Sequence, residues 1–204
     1  PAGTIHIIPI LWKSGKVACT VFLSGCNLRC PYCHNPDLVL PERSGGAEIP
    51  EAEVLAYLER RRGKLDGVCI TGGEPTLQRD LPEFLRKIKA LGFAVKLDTN
   101  GTNPAMLRAI LSEKLADYVA MDIKAGRENY SAVTGTLRPG LAAVEECARM
   151  LMDGDTDFEF RTTPVTATPS IRYFWKQKKS TAQGRTITLP AAIASLASFV
   201  LPGP

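Results

Sequence analysis

From Val17 onward the chain alternates short apolar runs with longer stretches in which apolar residues recur at three- and four-residue spacing. The short runs read as strands and the long stretches as amphipathic helices, and their alternation is the pattern of βα units around a mostly parallel sheet. Strands are expected at residues 17–23, 67–71, 93–97, 118–123 and 158–162. A helix over 50–62 would place Val54, Leu55 and Leu58 on one stripe, with Gly63 just past its end. The next is the best marked: Asp80 is a candidate N-cap with Glu83 three residues on, Leu81, Phe84, Leu85 and Ile88 share a face, and Gly92 stops it. Helices over 104–114, with Leu107, Ile110 and Leu111 on one stripe, and over 141–152 complete the series.

Five such strands in about 160 residues, against the roughly 250 of a complete eight-fold barrel, predict an α/β fold: a partial barrel of (β/α)6 type, or an open parallel sheet. The expected organisation is a lead-in at 1–15, one domain over 16–163 and a separate tail over 164–204.

Charge marks off the tail. The chain has 25 basic and 21 acidic residues, but six of the basic ones (Arg161, Arg172, Lys176, Lys178, Lys179, Arg185) and none of the acidic ones lie in 160–204. The first 159 residues therefore hold 19 basic against 21 acidic, a net of −2. A body so balanced lacks the basic, aromatic-studded face of a nucleic-acid binder. No apolar run approaches the ~20 residues that cross a bilayer, and no secretory pattern opens the chain. Neither nucleic acid nor membrane is expected as a direct partner.

Six cysteines could form three disulfides in a small secreted protein, but a chain with this much apolar periodicity needs no staples. Cys19 and Cys69 fall in strand-like runs, and Cys147 shares a helix face with Leu141, Val144 and Leu151. Packing is their expected role. The other three crowd into eight residues of the segment SGCNLRCPYCHN, Ser24 to Asn35. That crowding reads as a metal site in a reducing cytoplasm.

Gly25 and Pro31 make the segment a loop. A buried helical stripe at Cys26, Cys30 and Cys33 is opposed by Pro31, which would break the helix. A zinc site needs a fourth ligand, and His34, directly beside Cys33, is awkwardly placed for it. An ordinary 4Fe-4S cluster takes four cysteines, one per iron, so three leave one iron open to a substrate or cofactor. The cluster is the favoured expectation, with zinc and plain packing as alternatives.

The spacing CxxxCxxC, with Tyr32 before the third cysteine, resembles the radical S-adenosylmethionine enzymes. That resemblance implies a 4Fe-4S cluster on Cys26, Cys30 and Cys33, and S-adenosylmethionine chelating the open iron. One-electron cleavage of the sulfonium would then release a 5′-deoxyadenosyl radical. Gly72, Gly73 and Glu74 in the run TGGEP resemble the family's GGE motif, in which bare backbone approaches the cofactor and the acid contacts its ammonium. A strand-to-helix turn is the plainer reading of the same residues. Asp98 and Thr99 in DTNG, and Asp122 and Lys124 in DIK, resemble the glycyl-radical-enzyme activases, where such residues face the cofactor's carboxylate and ribose. Turn formation and a solvated charge are the alternatives there.

His34 and Asn35, following the third cysteine, narrow the resemblance to enzymes that install a glycyl radical on a partner protein, and with Tyr32 they are expected among the cofactor-binding residues. The group serving anaerobic ribonucleoside-triphosphate reductase reads most like 16–163, with pyruvate formate-lyase activases as runner-up and a non-catalytic zinc or iron-sulfur protein as the alternative from another class. The resemblance implies a flavodoxin or ferredoxin as electron donor. It stops after Thr163, so the tail is expected to be a divergent or frame-shifted end that supplies no sixth parallel strand and leaves the cofactor's adenine side partly open.

Overall fold

The computed structural model describes residues 3–12, 16–40, 49–138, 140–162 and 173–177, with the course of the backbone alone for 3–12, 16 and 173–177. One sheet of seven strands runs through these residues in sequence order. β1 (Gly3–Trp12) pairs antiparallel with β2 (Lys16–Leu23). β2, β3 (Gly67–Gly72), β4 (Ala94–Thr99), β5 (Tyr118–Asp122) and β6 (Asp157–Thr162) are parallel neighbours. β7 (Tyr173–Gln177) closes the far side antiparallel to β6. The parallel strands are joined through α1 (Glu51–Glu59), α2 (Leu81–Ala90), α3 (Pro104–Ser112), and the pair α4 (Tyr130–Thr134) and α5 (Leu141–Asp153).

The five parallel strands match the expected ones to within two residues at each end. β1 and β7 lie in segments to which the periodicity assigned no strand, and β7, the strand that the tail does supply, is antiparallel. The stretches 164–169 and 191–201, the second suggestive of a short buried helix in the sequence, lie outside the described residues. Among the described residues no helix is long and apolar enough to cross a membrane.

Strand residues alternate between two faces. One face carries Cys19, Val21, Val68, Ile70, Val95, Leu97, Val119, Met121 and Phe158, all buried in one cluster with Val54 and Leu58 of α1, Phe84 and Ile88 of α2, Leu107 and Ile110 of α3, and Val144 and Leu151 of α5. The helices therefore cover one side of the sheet, the layout of a partial barrel whose other face is the inside. That inner face carries Thr20, Phe22, Cys69, Thr71, Lys96, Asp98, Asp122 and Arg161, which line a cavity.

Helix ends follow local chemistry. In α3 Pro104 stands in the first turn, and Asn103 caps it by accepting from the Met106 amide at 3.2 Å. In α2 the expected capping box does not form: Asp80 makes no side-chain cap bond, and Glu83 reaches forward to Lys87 at 2.8 Å. Packing of Leu81, Phe84, Leu85 and Ile88, all buried, holds that helix instead, each worth roughly 1.5–3 kcal/mol.

Candidate active site

The carboxyl ends of the parallel strands open onto the loop that follows β2. Its start is tied down by Gly25 and Cys26, whose amides donate to Leu38 O at 2.7 Å and Val39 O at 3.1 Å. Its middle is held by the Arg29 amide on Thr134 O at 2.8 Å, and the Arg29 guanidinium turns back onto the Cys26 and Leu28 carbonyls at 2.6 and 2.8 Å. Glycine is required where neighbouring backbone presses on this loop. A Cβ on Gly73 would stand 2.1 Å from Gly25 O, and one on Gly72, at φ +122°, would stand 2.2 Å from Leu23 O.

Every residue singled out in the sequence lines one cavity of about 490 Å³: Cys26, Cys30, Tyr32, Cys33, His34, Asn35, Gly72, Gly73, Glu74, Asp98, Thr99, Asp122 and Lys124. The three thiols are free and half-buried, whereas Cys19, Cys69 and Cys147 are buried. Burial pushes Cys19 up to about 11 and Cys147 to about 12, which leaves both as inert packing groups. Burial also raises the Cys26 and Cys30 thiols, but the Lys124 ammonium acts against it at both, and the Leu28 amide donates to Cys26 Sγ at 3.4 Å. The site thus contains a cation that favours the ligating thiolate form.

A chain of ion pairs crosses the floor. Arg161 donates to Asp122 at 2.8 Å and to Asp98 at 3.0 Å, and Lys124 pairs with the second Asp122 oxygen at 2.9 Å. Lys96 stands 3.3 Å from Asp98 and 3.5 Å from Glu159. Burial pushes the Asp122 carboxyl up, but Lys124 and Arg161 outweigh it and hold the group below its usual range. Arg161 and Lys96 carry no motif and were not singled out in the sequence. The signal available was position: a charged residue on the inner-face parity of a strand, near its carboxyl end.

The cavity fits the group its cysteines imply. Its Asp98 Oδ1 is buried without a hydrogen bond, although Lys96 stands 3.3 Å away, and the Tyr32 hydroxyl is buried with only the Cys30 thiol beside it, so polar capacity is left for a ligand. Among the described residues no three Cys, His, Asp or Glu side chains converge on a point as ligands of a single ion would.

The model of the Radical SAM superfamily matches residues 20–163, most of the chain and every residue that lines the cavity. The chain belongs to the radical SAM superfamily. The cofactors of that superfamily are a 4Fe-4S cluster and S-adenosylmethionine. A Methanocaldococcus jannaschii protein named as a glycyl-radical enzyme activating enzyme is 40% identical over 116 residues, 56% of this chain and 46% of the relative. The pyruvate formate-lyase-activating enzyme of Clostridium pasteurianum is 37% identical over 155 residues, 70% of this chain and 63% of the relative. This radical SAM chain thus spans about half to two thirds of the length of those relatives. Proteins named 7-carboxy-7-deazaguanine synthase also match. Among solved structures, anSMEcpe with bound AdoMet is similar with a TM-score of 0.50 and 26% identity, covering 67% of this chain and 40% of that one.

Proposed function

We propose that this radical SAM chain is an activase that installs a glycyl radical on a partner enzyme, anaerobic ribonucleoside-triphosphate reductase, drawing its electron from a flavodoxin or ferredoxin. The observation that carries the reading is three free thiols in CxxxCxxC spacing at the open end of a parallel sheet, in one cavity with an ammonium and a buried carboxylate oxygen that no hydrogen bond satisfies. The CHN and DTNG segments and the activase relatives support the narrower class, although relatives with other names also match.

In this reading Cys26, Cys30 and Cys33 hold the cluster. When bound, the two cofactors together supply one-electron cleavage of a sulfonium and hydrogen abstraction from a carbon. Lys124, fixed by Asp122, offers positive charge both to the thiolates and to a carboxylate. The ion-paired floor is rigid and partly desolvated, so it orients a charged ligand without reorganising. His34 and Asn35 are exposed at the rim, where an incoming protein partner would meet them.

Anaerobic reconstitution should give a brown protein with about four irons per chain, and reduction in the presence of S-adenosylmethionine should release 5′-deoxyadenosine and methionine. Replacing Cys26, Cys30 or Cys33 with Ala should abolish iron loading, and replacing Cys19, Cys69 or Cys147 should not. A glycyl radical signal formed on purified anaerobic reductase but not on pyruvate formate-lyase would support the named partner. The reverse result would move the assignment to the pyruvate formate-lyase type, and a colourless, zinc-loaded protein would end the reading.

A further inference from the structure

Glu74 is fully buried, at 1% exposure, and its carboxylate is occupied by its own chain. Oε1 accepts from the Thr76 amide at 3.1 Å, the Thr76 hydroxyl at 2.6 Å and the Thr99 hydroxyl at 2.7 Å. Oε2 accepts from the Asn100 amide at 2.6 Å. A carboxylate offers about two acceptor sites on each oxygen, so three donors crowd Oε1 while one holds Oε2, and the chain's own bonds fix both oxygens in place. The amides around it are also committed: Gly73 N donates to Leu23 O and Glu74 N to Gly25 O, both at 2.8 Å, which fastens this turn to the start of the cysteine loop.

The network continues to the cysteines. Asn100, whose backbone Glu74 holds, donates through its side chain to Asn27 at 3.0 Å. Asn27 donates to Thr102 at 2.8 Å, and Thr102 donates back to Asn100 at 2.7 Å, closing a triangle of side chains. Asn27 directly follows Cys26. One buried carboxylate thus joins the turn after β3, the loop after β4 and the cysteine loop after β2.

We infer that Glu74 is a positioning residue that sets the cysteine loop and the 98–102 loop relative to one another, rather than the group that contacts the cofactor's ammonium. A polar network with every member paired is rigid, and in a low-dielectric site its loss is felt by all the elements it joins. Gly73 shares this task, because it lies against the cysteine loop's backbone at Gly25, while Gly72 lies against the end of β2 at Leu23. The turn TGGE works in this chain as a brace between loops.

The inference rests on the radical SAM reading, so binding of S-adenosylmethionine by the unaltered reconstituted chain is measured first, and its absence would refute the function proposed above. Glu74 is then tested by equilibrium binding of two probes to Glu74→Gln: S-adenosylmethionine, and 5′-methylthioadenosine, which has no ammonium. The inference expects both affinities to fall by a similar factor, about tenfold, at unchanged iron content. Thr76→Val supplies a second variant, since Thr76 is buried, does not line the cavity and leaves the Glu74 charge in place. It should weaken both probes as well, by about threefold. Loss of S-adenosylmethionine affinity with 5′-methylthioadenosine unaffected in Glu74→Gln would show a direct contact and overturn the inference. So would a lower melting temperature with both affinities unchanged in the two variants.

Discussion

Arg161 Nε donates to Asp122 Oδ1 at 2.8 Å, joining the ends of β6 and β5, which the sheet register sets directly opposite one another. The same guanidinium reaches Asp98 on β4, so one side chain answers two carboxylates. The Arg161 side chain is 13% exposed and that of Asp122 30%, so the bridge is partly buried, and removing one partner leaves the other short of compensation. Arg161→Met should therefore destabilise the fold in urea unfolding by an amount between the about 1 kcal/mol of an exposed pair and the about 3–5 kcal/mol of a buried one. Arg161→Lys should recover part of this, because a single ammonium cannot reproduce the fork that serves both acids. A loss under about 1 kcal/mol for Arg161→Met would mean the pairs are solvated.

The same bridge sets a pH dependence. The Asp122 carboxyl is held below its ordinary value of 3.8 by Lys124 and Arg161, against the upward push of burial. A group depressed in the folded state contributes stability above its unfolded pKa and loses it as pH falls through the folded one. Thermal stability should hold between about pH 7 and 5 and fall below about pH 4, and in Arg161→Met, where the carboxyl is no longer held so low, this acid-side fall should be smaller. Melting temperatures across pH 3–7 for the two proteins would show it, and superimposable profiles would contradict it.

Two glycines make a controlled contrast. A Cβ on Gly73 would meet the Gly25 carbonyl at 2.1 Å, and one on Gly63 would meet nothing within 4 Å, although Gly63 has a φ of +73°. Gly63→Ala should cost about 1–2 kcal/mol of backbone strain and leave iron loading intact. Gly73→Ala should reach or exceed the upper end of the roughly 1–3 kcal/mol range of overpacking and should lower iron loading too, because what must move is the backbone next to Cys26. Iron content per chain separates the two variants more sharply than stability does.

Much of the fold was legible because strands and helices buried against each other announce themselves by apolar spacing: Leu81, Phe84, Leu85 and Ile88 lie in the core as the pattern required. Strand ends were harder. The expected third strand stopped at Leu97, yet β4 runs on to Thr99, because Asp98 faces the cavity and reads as a turn residue when its partners Arg161 and Lys96 are not in view. β1 was hidden by Pro9 and by the shift in its pairing between His6 and Ile10, which break a simple alternation. The motif residues marked out one cavity, which they all line. Arg161 and the triangle of Asn27, Asn100 and Thr102 were not legible, since each joins segments far apart in sequence, and no local spacing encodes that.

The division of the sheet into an apolar face under the helices and an ion-paired face over the cavity also bears on how the chain reaches this arrangement at all. A slip of one residue in the pairing of β4, β5 or β6 would exchange the faces, driving Asp98, Asp122 or Arg161 beneath the helices without partners and lifting Leu97, Met121 or Phe160 into the cavity. Uncompensated charge in an apolar layer is among the costliest errors a chain can make. The charges that serve the cavity therefore also discriminate against misaligned sheets while the protein is being assembled, as a form of proofreading built into the strands themselves.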